Sequence, residues 1–241
     1  MPLSAGRVSR GSTLVGQGEP GSRLTRRYER RETLLSHNIE TPRRLRSDGE
    51  RSRRLILHAA TGLATVEGLR GLSIADLARR TGMSKSGLFA HFRSKEELQL
   101  ATVAAAAGEH DVLVVQPALR APTALGQLQA VCHNFLELAQ RSEGGCFFAS
   151  ASAELDTHPG RVRDSIRRFD REWMTLLTNL VAQAQAAGDL PDDLAAAQLA
   201  FEVRALLHLA NTAYQLHGDQ SVIDTARRGL GRRLGAPGSP S

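Results

Sequence analysis

Leu72-Ser-Ile-Ala-Asp-Leu-Ala-Arg-Arg-Thr-Gly-Met-Ser-Lys-Ser-Gly-Leu-Phe-Ala-His-Phe-Arg-Ser-Lys-Glu-Glu-Leu98 is the stretch that decides the fold. Ser73 is placed to cap a short helix carrying Ile74, Leu77 and Ala78, and Thr81-Gly82 reads as a turn. Ser84 caps a second short helix through Phe92, and Ser94 caps a third, with Glu97 at the capping-box position. Helices this short are stable only when packed together. Small Ala78 and turn-forming Gly82 suit the tight joint of a helix-turn-helix. Ile74, Leu77, Met83, Leu88 and Phe92 are expected to share a core with Leu55, Ile56 and Leu63 of a preceding helix. Left outward on the second helix are Ser84, Lys85, Ser86, Gly87, Ala90 and His91, small or polar side chains that let a helix sit deep in a DNA major groove about 12 Å wide.

Upstream, the preceding helix is read from Arg51, with Leu55, Ile56, Ala59, Ala60, Leu63 and Ala64 at helical spacing and Gly68 and Gly71 closing it. Residues 1–50 are rich in Gly, Ser, Pro and Arg and poor in aliphatic side chains, so they are expected to be a disordered, Arg-rich extension. The run Gly16-Gln-Gly-Glu-Pro-Gly21 matches a dinucleotide-binding pattern but follows no strand and opens no helix, so it carries no phosphate-cradling argument. A short helix near Leu24–Leu35 is compatible with the alternating Arg and Glu.

Charge divides the same way. The formal net charge of +6 resolves into +4 for residues 1–50, +5 for 51–98 and −3 for 99–241. A basic module joined to a mildly acidic one points to a polyanion partner for the first only. Downstream, helical blocks are expected at about Thr123–Arg141, Phe147–Asp156, Gly160–Ala187, Asp192–His217 and Gln220–Leu234, with breaks at Gly144-Gly145, His158-Pro159-Gly160, Gly188–Pro191 and Gly218. No strand pattern competes, so the fold class is all-α: a three-helix DNA-binding domain over 51–98, a helical bundle over 99–235 and a disordered tail over 236–241. No apolar run reaches the roughly 18–20 residues of a membrane span, and the start lacks the apolar core of a signal peptide. A cytoplasmic protein with reduced Cys132 and Cys146 and no membrane partner is expected.

Residues 72–98, together with Ala59-Ala60, Leu63-Ala64 and Gly68, closely resemble the DNA-binding segment of TetR-family regulators, particularly in the run Phe89-x-His-Phe-x-Ser-Lys-Glu. The resemblance implies base reading from the second helix and phosphate contact by a lysine opening the next. By position it assigns DNA contact to Ser84, Lys85, Ser86, Gly87, Phe89, Ala90 and His91, and to Lys95, with Ser73 at the cap of the first helix included in the interface. A cation at a helix N-terminus is unfavourable unless an anion lies near, which independently favours a phosphate beside Lys95. Two positions depart from the family. Phe89 stands where a phosphate-binding Tyr is common, shifting weight to Lys85, Lys95, Arg51, Arg53 and Arg54. Gly87 replaces a frequent Thr or Ser at a cost of about 1 kcal/mol in helix stability.

The downstream region resembles the ligand-binding domain of one TetR subgroup through Phe135, Leu136, Leu138, Gly145-Cys-Phe-Phe-Ala, Ala-Glu154, Pro159, Trp173, Leu176, Leu177 and Leu180. That resemblance implies an effector pocket within the bundle and pairing of the last two long helices across a twofold axis. Phe135, Cys146, Phe147, Phe148, Trp173 and Phe201 are candidates to line the pocket, although core packing also accounts for aromatics at this spacing. The Gly-Cys context of Cys146 resembles that of electrophile sensors, but no basic sequence neighbour is there to activate its thiol. Asp192–His217 is apolar on more than one face, which suits burial against a partner copy as well as its own domain. No cofactor or metal is expected: His133, His158, His208 and His217 lack ligand spacing, and Glu154 with His158 straddles a helix end.

The implied function is a ligand-responsive regulator, most naturally a repressor, that binds a palindromic operator in double-stranded DNA as a homodimer and answers to a small-molecule effector. A sequence-independent nucleic-acid binder is the alternative. A helical-bundle enzyme is more remote, because the paired Glu-x-x-His motifs of di-metal bundles and the GxSxG elbow are both absent.

Overall fold

The computed structural model describes residues 44–235. Their secondary structure is entirely helical. Helix α1 spans Arg44–Glu67, α2 Ile74–Thr81 and α3 Lys85–His91. Helix α4 spans Lys95–His110 and runs on through a π-helical stretch, Asp111–Val115, and one more turn, Gln116–Ala118. Then come α5 Ala124–Arg141, α6 Phe147–Leu155, α7 Arg161–Ala186, α8 Ala196–His217 and α9 Gln220–Leu234. The expectations for residues 1–43 and 236–241, including the GxGxxG match and the short helix near Leu24–Leu35, lie outside the described residues.

All three serine caps form. Ser73, Ser84 and Ser94 sit in extended backbone, and their hydroxyls accept from the amides of Asp76, Gly87 and Glu97 at 3.1, 3.1 and 3.0 Å. Glu97 reaches back to the amide of Arg93, one residue before the cap, rather than to Ser94 itself. Gly82 ends α2 at φ 67°, a left-handed conformation that a side chain would strain. Ile56, Ala60, Leu77, Leu88, Phe92 and Leu98 are buried and lock α1–α4 together.

Some expectations shift. Leu55, assigned to that core, is 63% exposed, because the buried face of α1 runs through Ile56, Ala60 and Ala64. Helix α1 begins at Arg44 instead of Arg51: once the apolar turns downstream anchor a helix, polar residues extend it one hydrogen bond at a time. Helix α8 starts at Ala196, since Pro191 and the acidic run after it stay outside the helix. The continuous helix Lys95–Ala118 is also apolar and long enough to cross a membrane, with a mean hydropathy of 1.2. It packs against α1, α5 and α7, and Val112 and Leu113 on its far side remain exposed.

Helices α5, α7 and α8 form the body of the bundle, with α9 against α8 and α5. Gly144 (φ 77°) and Gly145 (φ 75°) carry the chain tightly between α1 and α8. A Cβ on Gly145 would stand 2.3 Å from the Asn211 amide oxygen. That buried oxygen accepts from the Cys146 amide at 2.8 Å, so the joint has no room for a methyl group.

Candidate nucleic-acid interface and effector cavity

Helix α3 presents Ser84, Lys85, Ser86, Phe89 and Ala90 to solvent, with Gly87 and His91 half-buried. The Ser84 and Ser86 hydroxyls lie 3.1 Å apart and stiffen its first turn. At the other end the Arg53 guanidinium donates to the His91 carbonyl at 3.2 Å and stacks over Phe92, 4.7 Å from the ring centroid. A cation on the last carbonyls of a helix complements its dipole. Arg53, expected among the free cations of the basic face, is thus engaged in fixing α3 against α1. Lys85 and Lys95 are exposed and make no ion pair among the described residues. Ser73 is half-buried, and its hydroxyl is occupied with the Asp76 amide and carboxylate. Phe89 stands 55% exposed on the same outward face, an apolar ring with no core to fill.

Several polar contacts join this face to the bundle. The Glu154 carboxylate on α6 accepts from the consecutive amides of Leu69 and Arg70 at 2.7 and 2.8 Å. Gly68, at φ 88°, makes the approach possible: a Cβ there would lie 3.1 Å from Glu154 Oε1. The Gln99 side chain donates to the Leu69 carbonyl at 2.9 Å, and Arg161 of α7 pairs with Glu96 at 3.2 Å. Glu154 is therefore committed to backbone capture, and Cys, His, Asp and Glu form no metal-binding group of three or more among the described residues.

Between α1, α4 and the start of α6 runs a groove of about 1010 Å³, walled by Leu57, Thr65, Ala106, Leu113, Leu138 and Phe147 among others. At its inner end stand His110, Cys146 and Phe148, which also wall a smaller cavity of about 40 Å³ with Phe135, Phe169 and Trp173. His110 is 5% exposed; its ring meets Phe169 and Trp173 edge-on at centroid distances of 5.1 and 4.7 Å. Burial lowers its pKa to about 4, so the imidazole is neutral at pH 7. Arg204 and Asp170 pair at the edge of the smaller cavity.

Of the candidate pocket residues, Phe135, Cys146, Phe148 and Trp173 come together around the small cavity, while Phe147 lines the groove. Phe201 does not join them. It is 62% exposed, because α8 turns it outward with Leu209 and Leu216 while Val203 and Leu207 take the inner face. Cys146 is 5% exposed, and desolvation raises its thiol pKa, opposite to what an electrophile sensor needs. Burial likewise pushes the Cys132 thiol up to about 12. The sequence reading missed His110 and Phe169. Phe169 precedes Trp173 by one helical turn, and His110 is a lone imidazole in an alanine-rich apolar run, so both left a legible signal.

Residues 56–102 match the family described as bacterial regulatory proteins, tetR family, and residues 124–230 match the tetracyclin repressor-like C-terminal domain. No curated protein matches the chain. A TetR transcriptional regulator from Chloroflexus aurantiacus J-10-FL is similar at 25% identity and a TM-score of 0.69, covering 77% of this chain and 95% of its own. A TetR-family regulator from Streptomyces coelicolor is similar at 24% identity and a TM-score of 0.65, covering 76% and 94%. AibR, solved in complex with isovaleryl coenzyme A and operator DNA, shares the fold at 20% identity and a TM-score of 0.64, covering 77% and 100%. With a helix-turn-helix at its head and the matching C-terminal helical domain behind it, the chain belongs to the TetR family of transcriptional regulators.

Proposed function

We propose that this regulator is a ligand-responsive repressor that binds a palindromic operator as a homodimer, with no catalytic role. The observation that carries the reading is α3 itself: a short helix fixed at both ends, by the Ser84 cap and by Arg53 on His91, that holds Lys85, Ser86, Phe89 and Ala90 to solvent. Lys85, Ser84, Ser86, Gly87 and His91 are proposed to meet base edges or flanking phosphates. Ala90 and Phe89 supply apolar contact of the kind that reads a thymine methyl. Lys95, opening α4 with no ion-pair partner among the described residues, is proposed to hold a phosphate. Ser73 stabilises the start of α2 and donates nothing further, its hydroxyl being occupied.

One short recognition helix reads too few base pairs alone, and twofold pairing solves this with half-sites about 34–36 Å apart. Helix α8 offers the surface: Phe201, Leu209 and Leu216, exposed by 62%, 65% and 75%, fall on one stripe with Ala205 and Thr212. A second copy of this chain is the proposed occupant of that stripe. Effector binding in the bundle then alters the separation of the two recognition helices, a coupling of about 1–3 kcal/mol. A cytoplasmic site of action follows from the DNA it reads.

Equilibrium binding to duplex from the gene's own upstream region, with random duplex as competitor, tests the reading. Preference for the upstream site by about a thousandfold or more at fixed salt supports it. Equal affinities that fall together as salt rises contradict it and favour a sequence-independent binder.

A further inference from the structure

We propose that the groove between α1 and α4 is the effector site and that its effector is an uncharged, largely apolar molecule carrying one hydroxyl or carbonyl oxygen, which hydrogen-bonds to His110. The inference rests on the proposed reading that the bundle answers to a small molecule, and it names the chemistry of that molecule.

Three observations carry it. The groove, at about 1010 Å³, has the size of a small-molecule site, and Leu57, Ala106, Leu113, Leu138 and Phe147 make its wall mainly apolar. At its inner end His110 is 5% exposed and packs its ring against Phe135, Phe169 and Trp173. Walling both the groove and the small cavity, this imidazole is the polar group that a ligand oxygen entering the apolar groove would meet. Finally, the cavity beyond His110 holds only about 40 Å³, room for a water but not for a ring. The body of the ligand therefore lies in the groove, and only its polar end reaches the imidazole.

Charge decides the class. His110 is neutral at pH 7, the neighbouring Cys146 thiol is protonated, and the Arg204 guanidinium is matched by Asp170. A carboxylate pushed against His110 would be a buried charge without a counter-ion. A neutral imidazole, by contrast, accepts from a hydroxyl or donates to a carbonyl equally well. At the outer rim Arg54, Arg80, Glu109 and Glu143 mix both signs, and Glu109 is paired with His58 at 3.1 Å.

The chain contains one tryptophan, and Trp173 lies 4.7 Å from the His110 ring, so its fluorescence reports the inner end of the site. The test is a fluorescence titration of the full chain with 4-butylphenol, butylbenzene and 4-butylbenzoate. The phenol is expected to bind about tenfold more tightly than butylbenzene, the worth of about one good hydrogen bond, with the benzoate weakest. In His110→Phe the phenol and butylbenzene are expected to bind alike. Equal affinities in the unsubstituted chain, a preference for the benzoate, or no response of Trp173 to any probe would each overturn the proposal, and none of these depends on the variant folding. Operator binding measured on the same samples separates the two claims. Phenol binding with unchanged operator affinity upholds the site and instead contradicts the ligand-responsive reading.

Discussion

Lys85 and Lys95 are both exposed cations of the DNA-binding domain, yet they are set up for different work. Lys85 opens α3, the proposed recognition helix, and Lys95 opens α4, proposed to meet a phosphate and no base. Lys95→Ala is expected to weaken binding to operator and random duplex alike and to lower the salt slope by about one. Lys85→Ala is expected also to cut the preference for operator, by about tenfold, seen in paired titrations. Equal losses on both DNAs for both variants would contradict the division. His110 makes a prediction of another kind. Its folded pKa, about 4, lies below the ordinary 6.5, so between these values the unfolded chain binds more protons than the folded one. Stability contributed by the neutral buried ring is complete above about pH 6.5 and is lost as pH falls toward 4. Urea unfolding at pH 7.5 and pH 4.5 should show His110→Phe losing about 2–3 kcal/mol less than the unsubstituted chain, the carboxylates cancelling in the comparison. Parallel losses would remove the ring from the account. Gly145 is a purely steric case. At φ 75°, with a Cβ position 2.3 Å from Asn211, Gly145→Ala is expected to cost about 3 kcal/mol in denaturant unfolding. A loss under about 1 kcal/mol would mean the joint gives way more easily than its packing implies.

At the scale of elements, α6 is the link between cavity and DNA-binding face. It carries Phe148 at the cavity and, six residues or about 9 Å further along its axis, Glu154 on the amides of Leu69 and Arg70. In the proposed mechanism a ligand that displaces Phe148 from its stack on Phe169 would pull, through α6, on the loop that delivers α2. Glu154→Ala is expected to destabilise the chain by about 2 kcal/mol, with faster hydrogen exchange at the Leu69 and Arg70 amides. Unchanged exchange at those two amides would show that the clamp does not hold in solution. Much of this layer is legible in the sequence. The three serine caps and the breaks at Gly144-Gly145 and Gly218 are local chemistry, and local chemistry is what a sequence states most directly. Glu154 reads as an ordinary helix-end carboxylate, because its partners lie 84 and 85 positions away. Phe201 misleads for a related reason: on a helix apolar all round, periodicity does not say which face turns inward and which turns outward. The exposure of Leu55 and the engagement of Arg53 depend in the same way on how α1 is rotated against α3.

The whole molecule is a basic reading head carried on a mildly acidic bundle, with the proposed effector groove at the junction where α1 and α4 diverge. In the proposed mechanism a ligand in that groove acts on the helix that leads into the head, and the proposed pairing through α8 converts a small tilt in each subunit into a change of spacing between two recognition helices. The proposed regulation depends on that paired, sequence-reading arrangement. The measurement that tests it most directly is selection of bound sites by the full chain from a random duplex library at near-physiological salt. Enrichment of an inverted repeat, its half-site centres separated by about 34–36 Å or a small multiple of one helical turn, is the predicted result. Retention of DNA with no enriched motif, or enrichment of a single unrepeated half-site, would contradict it.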